Sequence, residues 1–217
     1  MKVIFLDIDG VLNCRTTQTS VCGCMGIDER LLPNLWRLVG KTNAEIVLIS
    51  TWRERWFRND YEKQLQDEFA DHLDAALARY DLKILDKTTD NGFDRGQGIL
   101  NWCAEWYVES FVVLDDQPFD YDRPELRDHI VKTDPDRGLT SEQADKAIRL
   151  LNKQDKVDPA VKFYENAVRL VKEKGKISTV ILQRELRIGY GTALRILERM
   201  EAEGLIKKDL RVRYIVL

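Results

Sequence analysis

The sequence predicts an α/β fold, a parallel sheet layered with helices, followed by a small basic helical module. Three observations carry the prediction. The short β-branched runs Val3–Leu6, Ile46–Ile49 and Phe111–Leu114 each end in polar residues and are separated by helical patterns, which is the rhythm of βαβ units whose strands are buried on both faces. A length of 217 residues with 44% hydrophobic content suits one α/β domain plus a small module. The charge is divided: residues 159–217 carry 13 Lys+Arg against 7 Asp+Glu, net +6, while residues 1–158 carry 21 against 30, net −9, within an overall −3.

Along the chain, the first run drives straight into Asp7-Ile8-Asp9-Gly10. Two acids beyond an apolar strand need a cation or a proton to coexist, and the carboxyl end of a buried parallel strand is where open α/β sheets bind ligands. Gly10 lets the backbone swing away there. Helical spacing then places helices at Asp28–Val39, with Asp28 as N-cap, at Glu54–Ala70 and at Gly96–Tyr107. Another runs over Ser141–Leu151, opened by Ser141-Glu142-Gln143 with Ala144, Ala147, Ile148 and Leu151 on one face. Trp36, Trp102 and Trp106 sit at helical spacings and are expected in the core, with Trp52 lining the site.

Residues 1–152 thus form the α/β domain, 153–158 a polar linker before Pro159, and 159–217 the module. In that module helical patterns at Ala160–Lys174, Thr179–Arg187 and Thr192–Glu203 precede a stretch that alternates around a short polar turn, as a hairpin does. Three helices plus a hairpin make a winged-helix domain. Its cations Arg184, Arg187, Arg195, Lys207 and Lys208 are the expected phosphate contacts to DNA, the alternative being a protein-contact module with a solvated basic surface. Tyr190 reads as a core or turn anchor.

No apolar stretch reaches the ~20 residues that span a bilayer, and no basic leader with a cleavage site precedes the first strand. The chain reads as cytoplasmic, with no membrane partner. Cys14, Cys22, Cys24 and Cys103 are irregularly spaced, which argues against a disulfide framework. Three of them near one another lack a fourth zinc ligand, so they read as free thiols beside the site.

The hydrophobic run followed by Asp7-Ile8-Asp9-Gly10 resembles the first motif of the haloacid dehalogenase (HAD) superfamily of phosphotransferases. The resemblance implies a Rossmann-like parallel sheet and further motifs at the later strand ends. Ser50-Thr51-Trp52-Arg53 resembles motif II, with Ser50 donating to a phosphoryl oxygen and Thr51 and Arg53 gripping the phosphate. Asp115-Asp116 resembles motif IV, which with Asp7 and Asp9 completes a Mg²⁺ site. For the motif III cation Arg95, at a helix N-terminus that favours anions, is preferred over its competitor Lys87. The resemblance further implies Asp7 as nucleophile forming an aspartyl-phosphate and Asp9 as general acid and then base. The presence of Asp9 favours phosphatase over dehalogenase.

Residues 14–27 and the stretch between motifs II and III are short for a cap domain, which leaves the site essentially capless and open to a phosphate on a polymer end. Together with Gly138-Leu139-Thr140 these motifs resemble the HAD domains fused to RNA-repair enzymes and, more distantly, the 3′-phosphatase of phage polynucleotide kinase. Residues 160–206 resemble the gamma domain of the FtsK DNA translocase, a DNA-binding winged helix. That family opens its helix after Gly-Tyr with the base-reading pair Asn-Arg, where this chain has Gly191-Thr192 while keeping Arg195.

The leading expectation is a Mg²⁺-dependent phosphatase for phosphorylated nucleic-acid ends, carrying a DNA-binding module. A nucleotide or small-phosphoester phosphatase tethered to DNA, and a DNA-binding regulator with a ligand-sensing HAD domain, are the alternatives. The intact Asp7/Asp9 pair speaks against the last. DNA and RNA, 3′ and 5′ ends, and any oligomeric state stand as equal options at this level.

Overall fold

The computed structural model describes residues 1–90, 94–106, 108–152, 159–209 and 213–216, excluding the side chains of Asp60, 159–162, Glu165, Lys208, Asp209 and 213–216. It divides into two compact units, Met1–Ile99 with Ser110–Gln154, and Leu100–Glu109 with Asp155–Leu217.

In the first unit, β1 (Lys2–Leu6) leads through a loop carrying the small hairpin β2 (Ser20–Val21) and β3 (Cys24–Met25) into α1 (Leu32–Thr42) and β4 (Glu45–Leu48). A 3₁₀ turn (Thr51–Arg55), α2 (Asp60–Lys63), α3 (Glu68–Ala78) and β5 (Ile84–Lys87) follow. Then come α4 (Arg95–Glu105), of which the residues from Leu100 onward belong to the second unit, β6 (Ser110–Asp115), β7 (Ile130–Lys132) and α5 (Ser141–Asn152). The sheet has order β5-β4-β1-β6-β7, and its four pairings are all parallel. The chain winds outward from β1 in both directions, so the switch point lies at β1, where such sheets bind ligands at their carboxyl ends.

The ladders continue one residue past the strands: Asp7 N–H donates to Leu114 O, Ile49 N–H to Leu6 O and Thr133 N–H to Asp115 O. These bonds align the carboxyl ends of β1, β4 and β6 in one row. Beneath that row Ile4, Leu6, Leu48, Val112 and Leu114 pack with Leu32, Leu35 and Leu38 of α1 and Ala147 and Leu151 of α5.

Several expected elements shift, each for a local reason. Asp28 does not cap α1; its carboxylate accepts from the Arg30 N–H and guanidinium and from Thr17, and α1 starts after Leu31, with a proline in its first positions and no side-chain cap. The helix expected over Glu54–Ala70 is broken into the 3₁₀ turn, α2 and the front of α3. Asn59 and Asp67 each turn a side-chain oxygen onto an N–H three residues ahead, and such residues start new helices in preference to continuing old ones. Trp36, expected in the core, is 56% exposed on α1, because Leu35 and Leu38 take the inward face.

The second unit holds α6 (Pro159–Lys174), β8 (Lys176–Ile177), α7 (Thr179–Leu186), α8 (Tyr190–Ala202), β9 (Ile206–Asp209) and β10 (Arg213–Val216). The strands form an antiparallel sheet of order β8-β10-β9, while the expected hairpin turn at 210–212 lies outside the described residues. Ala167, Val171, Ile177, Leu182, Ile196, Leu197 and Met200 form its core. The Ser178 hydroxyl caps α7 by accepting from the Ile181 N–H, and Arg187 ends it in the left-handed region at φ 51°. Trp102 is buried as expected and stacks on Trp106. Tyr190 is 58% exposed at the start of α8 and is no core anchor.

Candidate active site

The row of strand ends brings together Asp7 after β1, Ser50 after β4 and Asp115-Asp116 at the end of β6. All four are buried. One carboxylate oxygen from each of Asp7, Asp115 and Asp116 lies within 4.8 Å of the other two. Gly10 makes that approach possible: it sits at φ +72°, and a Cβ on it would stand 2.6 Å from Asp116 Cγ, so only glycine serves both the turn and the contact.

Arg95, at the start of α4, reaches into this group. Its Nη1 donates to Asp115 Oδ2 at 2.9 Å and stands 3.2 Å from Asp7 Oδ1. Asp115 also accepts from the Tyr121 hydroxyl at 2.7 Å and the Gln117 N–H at 2.8 Å, and Gln117 Nε2 donates to Asp116 at 2.8 Å. Phe119 lies against Arg95, its ring centroid 4.0 Å from the guanidinium carbon. None of the loop residues Gln117, Phe119 and Tyr121 carries a signal in the sequence, because only the return of the loop onto β6 and α4 brings them here.

One guanidinium faces three buried carboxylates, and the titration reflects it. Burial raises the Asp7 carboxyl to about 7, the charge of Asp115 adds to the rise, and Arg95, the Ile8 N–H and the Ser50 hydroxyl oppose it. Burial also raises Asp115, against hydrogen bonds from Tyr121, Gln117 and Arg95. Asp7 Oδ1 is buried and accepts no hydrogen bond among the described residues. An excess of carboxylate with an unsatisfied oxygen fits a hard divalent cation, and the all-oxygen donor set fits Mg²⁺.

Asp9 is placed differently. Its exposed side chain stands outside the metal-type group, held at both oxygens: Asn13 Nδ2 donates to Oδ1 at 2.8 Å and Trp52 Nε1 to Oδ2 at 3.2 Å. Trp52 therefore borders the site, as its position beside Ser50 suggests.

Other expected contacts are spent elsewhere. Arg53 is buried and donates to Asp90 at 2.6 Å and to the backbone carbonyls of Ile49 and Ser50, so a partner 37 positions away occupies the fork expected to hold phosphate. Lys87 donates to the carbonyls of Arg53 at 2.8 Å and Trp56 at 2.6 Å; of the two candidate cations, only Arg95 touches the carboxylates. The helix N-terminus proposed to favour an anion is already filled, since Asp120 accepts from the Gly96 and Gln97 N–H groups. Thr51 is exposed at the rim of the 3₁₀ turn. Gly138 packs under the loop after β1, with Leu139 N–H donating to Val11 O. The Cys22 thiol bonds Glu68 rather than joining a metal-type group.

In the winged-helix unit Arg184 and Arg187 are exposed, Arg184 paired with Glu185 at 2.9 Å. Arg195 is half-buried and donates to Thr192 Oγ1 at 3.4 Å. Lys207 is exposed on β9, and Lys208 pairs in register with Tyr214, its side chain outside those described.

The profile described as the HAD domain in Swiss Army Knife RNA repair proteins matches residues 3–144, and that of the FtsK gamma domain matches residues 158–213. Similar curated proteins include the DNA translocase FtsK of Treponema pallidum (strain Nichols), 48% identical over 50 residues, which are 23% of this chain and 6% of that protein. Those of Rhizobium meliloti (strain 1021) and Agrobacterium fabrum (strain C58 / ATCC 33970) are each 47% identical over 55 residues, 25% of this chain and 6% of theirs. The chain therefore spans only 6% of the length of these relatives. No solved structure matches it. Because the first match runs through more than half of the chain and takes in every polar strand end of the site, the chain belongs to the family of HAD domains in Swiss Army Knife RNA repair proteins, and its C-terminal residues 158–213 are similar to the FtsK gamma domain.

Proposed function

We propose that this chain is a Mg²⁺-dependent phosphomonoesterase for nucleic-acid ends, with residues 1–152 catalytic, 153–158 a linker and 159–217 a DNA-binding module. The observation that carries the reading is the buried group of Asp7, Asp115 and Asp116 beside Arg95, with Asp9 held apart from it. Family membership supports phosphate chemistry, and the FtsK gamma match supports DNA binding.

Asp7, Asp115 and Asp116 are the residues that would hold the metal. Bound there, Mg²⁺ supplies positive charge that lets an anionic nucleophile meet an anionic phosphate. The rest falls to the protein. A carboxylate oxygen of Asp7 attacks phosphorus, the ester P–O bond breaks, and Asp9 gives its proton to the leaving oxygen. Asp9 then takes a proton from water, whose oxygen attacks phosphorus and releases Asp7 and inorganic phosphate. Ser50 and Arg95 stabilise the charge on the transferring group. Tyr121 and Gln117 fix Asp115 and Asp116, and Trp52 and Asn13 fix Asp9.

Phosphate release from 3′-phosphorylated and 5′-phosphorylated oligonucleotides and from mononucleotides, with and without Mg²⁺, tests the reading. Release is expected with Mg²⁺, faster for oligonucleotides, and Asp7→Asn is expected to abolish it while keeping wild-type circular dichroism. Wild-type release by Asp7→Asn would refute the covalent route. Mononucleotides preferred over oligonucleotides would favour a small-phosphoester enzyme tethered to DNA.

A further inference from the structure

Beside the catalytic group, in the same unit, lies a cavity of about 330 Å³, within the range of small-ligand sites. The half-buried Phe119 gives it aromatic surface, with the buried Tyr121 edge-on to that ring, and Gln117, Asp122, Arg127 and Lys132 also line it. Three of these residues join it to the chemistry. Tyr121 and Gln117 hold Asp115 and Asp116, and Phe119 lies against Arg95. The cavity therefore begins one side chain from the phosphate-handling arginine. Its exposed cations Arg127 and Lys132 face one exposed carboxylate, Asp122, and they stand on a body whose sequence is net −9.

We infer that this cavity is a nucleotide subsite. The nucleoside that bears the terminal phosphate rests against the half-buried Phe119, and Arg127 and Lys132 hold the phosphodiester that links it to the next nucleotide. An aromatic ring takes any base through its π-face, and flanking cations track the backbone without reading sequence. The inference deepens the phosphomonoesterase reading and rests on it. It supplies a reason why an open site would prefer a polymer end, since a mononucleotide lacks the linking phosphodiester that the two cations grip.

The test uses the full chain and the Arg127→Ala/Lys132→Ala variant, with a terminally phosphorylated mononucleotide and the matching terminally phosphorylated dinucleotide. The dinucleotide-to-mononucleotide ratio of kcat/KM should fall about tenfold in the variant, through KM, as expected for losing charge-assisted phosphate contacts. The charge-conserving Arg127→Lys/Lys132→Arg variant should keep the ratio. An unchanged ratio in the alanine variant overturns the subsite while leaving the phosphatase reading intact. Calorimetric binding of a dinucleotide with one internal phosphate and no terminal one needs no turnover. If neither protein releases phosphate yet this binding weakens in the alanine variant, the subsite stands and the phosphatase reading falls; equal binding by both proteins overturns the subsite.

Discussion

At the scale of single residues, the site gathers three buried carboxylates around one guanidinium, an imbalance that a proton or a bound cation resolves. Asp7 shows the consequence most directly, because its carboxyl is raised from 3.8 to about 7 by burial and by Asp115. A metal needs the deprotonated form, so protons compete with it below about pH 7, and Mg²⁺ affinity should rise by up to about tenfold per pH unit toward neutrality and level off above it. The sign for folding runs the other way. A raised carboxyl binds its proton more tightly in the folded than in the unfolded chain, so its contribution to metal-free stability is full below about 3.8 and lost as pH rises through about 7. Titration calorimetry with Mg²⁺ at about pH 6, 7 and 8, beside metal-free melting temperatures at the same values, checks both signs. Affinity independent of pH would show that Asp7 is not a ligand. Asp7, Ser50, Asp115 and Asp116 were legible in the sequence because each stands at the end of an apolar run, where backbone topology alone fixes its place. Tyr121, Gln117 and Asp120 were not, since a loop side chain reaches back to a strand end only through tertiary geometry. Arg53 reads as a phosphate ligand from its position, yet Asp90 holds it, and nothing local announces that pairing.

At the scale of elements, the buried strands were legible and the edges were not. β1, β4 and β6 are apolar runs, whereas β5 keeps one buried residue of four and β7 one of three, too few for a periodic signal against surrounding loops. Helix existence was clearer than helix limits, because boundaries follow from which side-chain oxygen takes an orphan N–H. Asp67 is the example: its carboxylate accepts from the Ala70 N–H and starts α3 where periodicity alone would run a helix through from Glu54. Asp67→Ala should cost about 0.5–2 kcal/mol, the usual loss of an N-cap. Because α3 buries Ala70, Leu73, Ala76 and Leu77 and carries none of the proposed catalytic side chains, the loss should appear in unfolding and not in phosphate release. Chemical denaturation of Asp67→Ala beside Asp67→Asn, which keeps a capping oxygen, separates the cap from the charge. Equal destabilisation by both would assign the effect to charge.

At the scale of the whole chain, the separation of charge between an acidic body and a basic module makes two different demands on the proposed nucleic-acid substrate. The body, net −9 over residues 1–158, repels a polyanion, while the module, net +6, attracts one. The proposed enzyme therefore needs the module to concentrate it on DNA, and that effect is electrostatic. Binding of the full chain to duplex DNA should weaken linearly in log K against log salt, with a slope of about −0.9 per phosphate contact. A chain ending at residue 158 should lose this binding, and its KM for oligonucleotide ends should rise while that for mononucleotides stays level. Individual cations differ in what they are placed to do. Arg187 and Lys207 are exposed, so replacing either with alanine should weaken all DNA sequences alike and reduce the salt slope by about one. Arg195 is half-buried and bonded to Thr192, so Arg195→Ala should act through the conformation of α8 and leave the slope nearly unchanged. Fluorescence anisotropy across a salt series separates the two behaviours. A full chain whose DNA binding ignores salt, or survives removal of 159–217, would make the module a protein-contact element.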